Sequence, residues 1–96
     1  MTTPRYDLPR AIRIGAKIRG QTRNGDFFED GCSCAIGAAL EAEGMQDRVG
    51  VAPTLWPELG FYIGPDQTLC EAIVLLNDNA GWTREEIADW LDYILP

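Results

Sequence analysis

Trp82-Thr83-Arg84-Glu85-Glu86-Ile87 is a complete helix-start signal. Thr83 and Glu86 have the spacing of a capping box, in which each side chain accepts the other residue's exposed backbone amide. Trp82 and Ile87 bracket the cap at the spacing of a hydrophobic staple. A helix opened this firmly must bury its apolar side, and Ile87, Trp90, Leu91 and Ile94 recur at helical period and are expected to face inward. The rest of the chain has to supply the surface that covers them.

Three further segments read as helices. After Asp7, an acceptable N-cap, and with Pro9 tolerated in the first turn, Leu8, Ala11, Ile12, Gly15 and Ile18 form an apolar stripe. Gly20 is the expected C-terminal residue of this helix, with Lys17 and Arg19 suited to its dipole. A second helix is expected from near Ser33 to Gly44. Its side chains are unusually small, and Gly37 and Ala38 suit close helix contact at the centre of the fold. A third, capped by Asp66 or Thr68, carries Leu69, Ala72, Ile73 and Leu76 and ends in Asn77-Asp78-Asn79-Ala80-Gly81.

Between them, Asn24-Gly25 is a hairpin signal. Pro53, Pro57, Gly60 and Gly64 limit residues 49–64 to a short helical turn around Leu55 and Leu59. The expected architecture is mainly α: one compact four-helix domain over residues 1–96, with a small hairpin-like insertion near 21–28 and a flexible tail at 1–7. Ninety-six residues suffice for one such core.

Charge is segregated. Arg5, Arg10, Arg13, Lys17, Arg19 and Arg23 are six of the eight basic residues, and all lie in the first 23 positions. The remaining 73 residues carry fourteen carboxylates against Arg48 and Arg84. Net charge is −7 with no histidine, which removes the commonest general base and metal ligand. No apolar run is long enough to span a bilayer and no signal-peptide pattern opens the chain, so a cytoplasmic location without membrane contact is expected.

The chemistry-bearing residues are few. Cys32 and Cys34, with Cys70 downstream, could give three thiolates to zinc, Asp30 supplying a fourth ligand; one intervening residue is short for a zinc pair. The plainer reading is that Cys34 and Cys70 are small buried residues on facing helices. Cys34 near a helix N-terminus could ionise more easily than usual, yet there is no imidazole partner. No phosphate-loop motif occurs, the Asn77–Gly81 run lacks the ligand series of a calcium loop, and no cofactor is expected. Trp82 and Trp90 read as core and staple residues, whereas Trp56, between two prolines, is the expected exposed anchor.

Cys34-Ala35-Ile36-Gly37-Ala38-Ala39, and Leu75-Leu76-Asn77-Asp78 followed by Gly81-Trp82-Thr83-Arg84-Glu85-Glu86-Ile87-Ala88-Asp89-Trp90-Leu91, resemble a group of small uncharacterised bacterial and phage proteins. That group shares a Cys-Ala-(Leu/Ile)-Gly-Ala helix opening and an Asn-Asp…Thr-x-x-x-(Ile/Val) helix start. The resemblance implies a fold more than a chemistry. Its phage association favours a small binding protein or inhibitor.

The expected function is therefore non-enzymatic. An acidic face from Glu41, Glu43, Glu58, Glu71, Glu85, Glu86, Asp89 and Asp92 would dock a basic, nucleic-acid-binding protein partner, as a DNA-mimicking counter-defence inhibitor of the anti-CRISPR kind does. The basic stripe Arg10, Arg13 and Lys17 is too small on so acidic a domain for direct nucleic-acid binding; pairing with carboxylates of this chain or a partner suits it better. Two alternatives stand beside this: a cysteine-based metal-binding or redox-sensitive protein, and a module that self-associates through the small-residue face of its second helix. Sequence leaves the oligomeric state open.

Overall fold

The computed structural model describes residues 7–18, 20–21, 28–29, 32–45 and 49–95. Four α-helices carry the architecture: α1 (Leu8–Ala16), α2 (Ala35–Ala42), α4 (Leu69–Asp78) and α5 (Arg84–Ile94). A short α3 (Ala52–Leu55) lies between 3₁₀ turns at Val49–Val51 and Pro57–Gly60. The mainly α expectation is met. None of the described helices is long and apolar enough to cross a membrane.

α1 begins as its sequence directs: the Asp7 carboxylate accepts from the Arg10 amide at 3.2 Å, and Leu8, Pro9, Ala11, Ile12 and Gly15 are buried. Ile18 is a correction. The helix stops at Ala16, so Ile18 falls out of register and is 51% exposed, while Ile14 is 43% exposed. Gly20 does not end the helix but starts a strand. The α1 carboxyl end is closed instead by Arg84, whose buried guanidinium donates to the carbonyls of Ala16 at 3.3 Å and Gly20 at 3.2 Å.

α2 is buried from Ala35 through Leu40. Its cap is Cys34, whose Sγ accepts from the Gly37 amide at 3.3 Å. At the other end Gly44 takes φ +70°, with Met45 N–H donating to Leu40 O and Gly44 N–H to Glu41 O, the Schellman pattern. α1 and α2 touch backbone to backbone. A Cβ built on Gly15 would stand 1.8 Å from the Ala38 carbonyl oxygen, so only glycine fits there. This contact consumes the small-residue face of α2. Self-association through that face is overturned, because the face lies inside the fold.

Three two-residue strands form a small sheet in the order β1 (Gly20–Gln21), β3 (Cys32–Ser33), β2 (Phe28–Glu29), with β1 parallel and β2 antiparallel to β3. β1 and β2 therefore do not pair with each other across Asn24-Gly25, which lies outside the described residues, as do 1–6 of the expected tail. An unexpected hairpin joins β4 (Tyr62–Gly64) to β5 (Gln67–Thr68) around Pro65-Asp66. It leads straight into α4, where Thr68 and Glu71 form a second capping box: Glu71 N–H donates to Thr68 Oγ1 at 3.2 Å and Thr68 N–H to Glu71 Oε1 at 2.8 Å.

α5 starts with the expected box, Glu86 N–H to Thr83 Oγ1 at 3.0 Å and Thr83 N–H to Glu86 Oε1 at 2.8 Å. Ile87, Ala88 and Leu91 reach the core, but Ile94 is exposed and Trp90 half-buried. Trp82 meets Trp90 edge to face, with ring centroids 6.4 Å apart. Asn77, expected in the loop that ends the third helix, is instead a buried residue of α4. Its Oδ1 accepts from Gln21 Nε2 at 2.7 Å and from the Ala35 amide at 3.2 Å. Gln21 also donates to the Trp82 carbonyl at 2.9 Å. Two side-chain amides, those of Asn77 and Gln21, thus tie β1, the start of α2, α4 and the approach to α5.

Candidate interaction surface

α5 sorts its residues by angle. With Ile87, Ala88 and Leu91 inward, Glu85, Glu86, Asp89, Asp92 and Tyr93 all stand exposed on the outside. Tyr93 is 88% exposed, one turn beyond Asp89 and next to Asp92.

The margin of this face is not purely acidic. Arg13 Nη2 sits 2.7 Å from Asp89 Oδ1 and 2.6 Å from Asp92 Oδ2. Hydrogen bonds to Asp89, then to Asp92, raise the guanidinium above its ordinary value and hold it charged. Asp89 and Asp92, expected as partner-binding carboxylates, are partly neutralised by Arg13 of α1, the pairing within the chain that suited the basic stripe. The expected basic stripe divides accordingly. Arg13 turns to α5, while Arg10 and Lys17 are exposed and, among the described residues, make no ion pair.

The other expected acidic residues lie on several elements. Glu71 and Glu86 are exposed but hold the caps of two different helices. Glu41 and Glu43 lie half-buried at the end of α2, and Glu58 half-buried in a 3₁₀ turn. The expected acidic face thus draws its eight carboxylates from four elements. What remains coherent is the outer side of α5.

Trp56 is also a correction. It is fully buried, between the exposed Pro53 and Pro57, and packs in the core with Ala52 and Leu59. The prolines punctuate the chain on either side, and the turn between them rolls the indole inward. Its Nε1–H has no acceptor among the described residues. The apolar area gained outweighs that lost hydrogen bond, since burying a large aromatic ring contributes more than the roughly 1–3 kcal/mol an unpaired donor costs.

Beside α5 lies an open apolar groove of about 650 Å³, walled by Ile63 of the β4–β5 hairpin, Ala72, Leu75, Leu76 and Ala80 on or just after α4, and Trp82 and Trp90. A second depression of about 430 Å³ continues from it at Gln67 and Leu75 and adds Asp66, Cys70 and Glu71. Nothing in the sequence pattern announced this groove. Its hairpin wall needed the Gly64-Pro65-Asp66 turn and the Thr68-x-x-Glu71 box to be read together.

At Cys34 and Cys70, the two cysteines whose side chains are described, burial works against ionisation. Burial raises the Cys34 thiol above its ordinary value, against the easier ionisation expected at a helix start, and the nearby Asp78 carboxylate pushes the same way. The adjoining cavity is about 10 Å³, space for one water at most. Cys70 is half-buried, and burial and then Glu71 raise its thiol too. The side chain of Cys32, and Asp30, lie outside the described residues. Among the described residues, no group of three or more Cys, Asp or Glu side chains could hold a metal ion. Comparison with protein families, characterised proteins and solved structures finds no match, so geometry alone bears on function.

Proposed function

We propose that this chain is a small acidic binding protein, without catalytic chemistry of its own, that docks a basic protein partner through the outer side of α5. The observation that carries this is Tyr93, an exposed aromatic ring among four exposed carboxylates, Glu85, Glu86, Asp89 and Asp92, with one guanidinium at the margin. Tyrosine is a preferred hot-spot residue because it offers a large rigid face and a polar tip. Surrounding carboxylates steer a cationic partner toward it and speed encounter.

Nucleic-acid-binding proteins carry the densest cationic surfaces, which favours that class of partner. An inhibitor of the counter-defence kind, anti-CRISPR proteins included, is one form of this function. Interleaving of Arg13 with Asp89 and Asp92 argues for a local patch around Tyr93 over a long imitation of duplex charge.

The test is a panel of basic nucleic-acid-binding domains titrated against the full chain at two ionic strengths. Binding to at least one, weakening steeply as salt rises, is expected, because exposed charges are screened beyond a Debye length of about 8 Å at 0.15 M salt. Affinities indifferent to salt, or no binding by any domain, contradict the proposal.

A further inference from the structure

The carboxylate pair on the outer side of α5 already holds a cation, and that cation comes from this chain. Asp89 and Asp92 are three residues apart, so their side chains are neighbours on one helix face. Both accept from the same nitrogen of Arg13, Nη2, at 2.7 and 2.6 Å. The planar fork of the guanidinium is therefore matched to neither carboxylate. The two aspartate side chains stay 74% and 55% exposed while they hold it, so an outside group can reach them. An ion pair this open contributes little to folding and costs little to exchange. Glu86 is also engaged within the chain, through the Thr83 cap. Of the four acids around Tyr93, Glu85 alone makes no such contact among the described residues.

We propose that Arg13 is an internal stand-in for an arginine of the partner: docking moves its guanidinium off Asp89 and Asp92 and seats a partner guanidinium there, beside the Tyr93 ring. This rests on the docking role proposed for α5 and adds the chemistry and the regulation of that site. An arriving arginine can give one nitrogen of its fork to each carboxylate, whereas a lysine brings one compact, strongly hydrated ammonium. Tyr93, 88% exposed and next in sequence to Asp92, offers the guanidinium an open aromatic face. Arg13 thereby sets a threshold. A partner is held only when its own contact with the pair outcompetes the internal one.

Isothermal titration of the full chain with an arginine nonapeptide and with a lysine nonapeptide tests this, using Arg13→Gln, Arg10→Gln and Arg13→Gln combined with Asp92→Asn. Arg10 is the control for charge. It is exposed, lies one turn from Arg13 and makes no ion pair among the described residues, so Arg10→Gln removes the same positive charge without touching the pair. Arg13→Gln should bind the arginine peptide about tenfold more tightly than wild type, because the internal competitor is gone. Arg10→Gln should gain less than about twofold, as an exposed charge does. Adding Asp92→Asn should erase the Arg13→Gln gain, and the lysine peptide should show a smaller one. An Arg13→Gln gain no larger than that of Arg10→Gln, or a loss, overturns the inference and leaves the docking role of α5 standing. So does an equal gain with the lysine peptide. Binding of neither peptide by wild type or by Arg13→Gln overturns both.

Discussion

The α1–α2 contact and the α4–α5 side of the molecule are built by opposite means. At the first, small residues let two backbones meet, and Gly15 sits where any side chain would strike the Ala38 carbonyl. At the second, large side chains stand apart: Trp82 and Trp90 touch edge to face, Leu75 and Ile63 remain exposed, and a groove stays open between them. A sealed contact stabilises the fold and leaves nothing to offer a partner. An open apolar surface contributes little to folding and is available for binding. The sealed contact therefore lies at α1–α2 and the open apolar surface at α4–α5.

The sharpest way to break this contrast is Gly15→Ala. One methyl group would have to displace backbone, because the Cβ falls 1.8 Å from the Ala38 oxygen. A loss of about 3 kcal/mol or more in urea unfolding is expected, at the upper end of what overpacking costs. A variant that melts like wild type would show that α1 and α2 can slide apart, and the contrast would lose its rigid half.

Trp56 gives an effect of similar size and separates packing from polarity. Trp56→Ala should cost about 3–5 kcal/mol, while Trp56→Phe should cost under about 1.5 kcal/mol, because it removes an Nε1–H that lacks an acceptor and keeps most of the ring. Equal losses for the two variants would mean that the indole N–H has a partner.

Smaller, and directed at a cap instead of the core, is Thr83→Ala, expected to cost about 1 kcal/mol by leaving the Glu86 amide unpaired. Thermal melts check it against Tyr93→Ala, which should stay within about 0.5 kcal/mol of wild type as an exposed position.

The smallest effect is alkaline. Burial raises the Cys34 and Cys70 thiols above their ordinary value of 9.0, so the folded chain keeps protons that the unfolded chain releases. A raised folded value means that this contribution is whole below about pH 9, and it declines as pH rises toward the folded values. Urea midpoints should thus fall between pH 8 and pH 10, less steeply in Cys34→Ala, which should also start lower for want of the cap on Gly37.

What the sequence made legible was local. The Thr83 box, the Asp7 cap and the inward Ile87 and Leu91 follow from spacing alone, because their causes lie within one turn of helix. Long-range facts did not. Trp56 has loop neighbours and a core position, and only the turn over Ala52–Leu55 decides which matters. Arg84 sits at the start of α5, yet it crosses the fold to the carbonyls of Ala16 at the end of α1 and Gly20 of β1. Arg13 meets Asp89 and Asp92 across more than 70 positions of chain. The eight carboxylates share a charge but come from four different elements, and composition does not reveal that.

Isothermal titration of a basic nucleic-acid-binding domain that binds the wild type, repeated with Tyr93→Ala and read beside a thermal melt of each, tests the separation of recognition from stability most directly. An unchanged melt with affinity reduced by about tenfold or more is predicted, as for a hot-spot residue. Full affinity in a Tyr93→Ala protein that folds like wild type would contradict it.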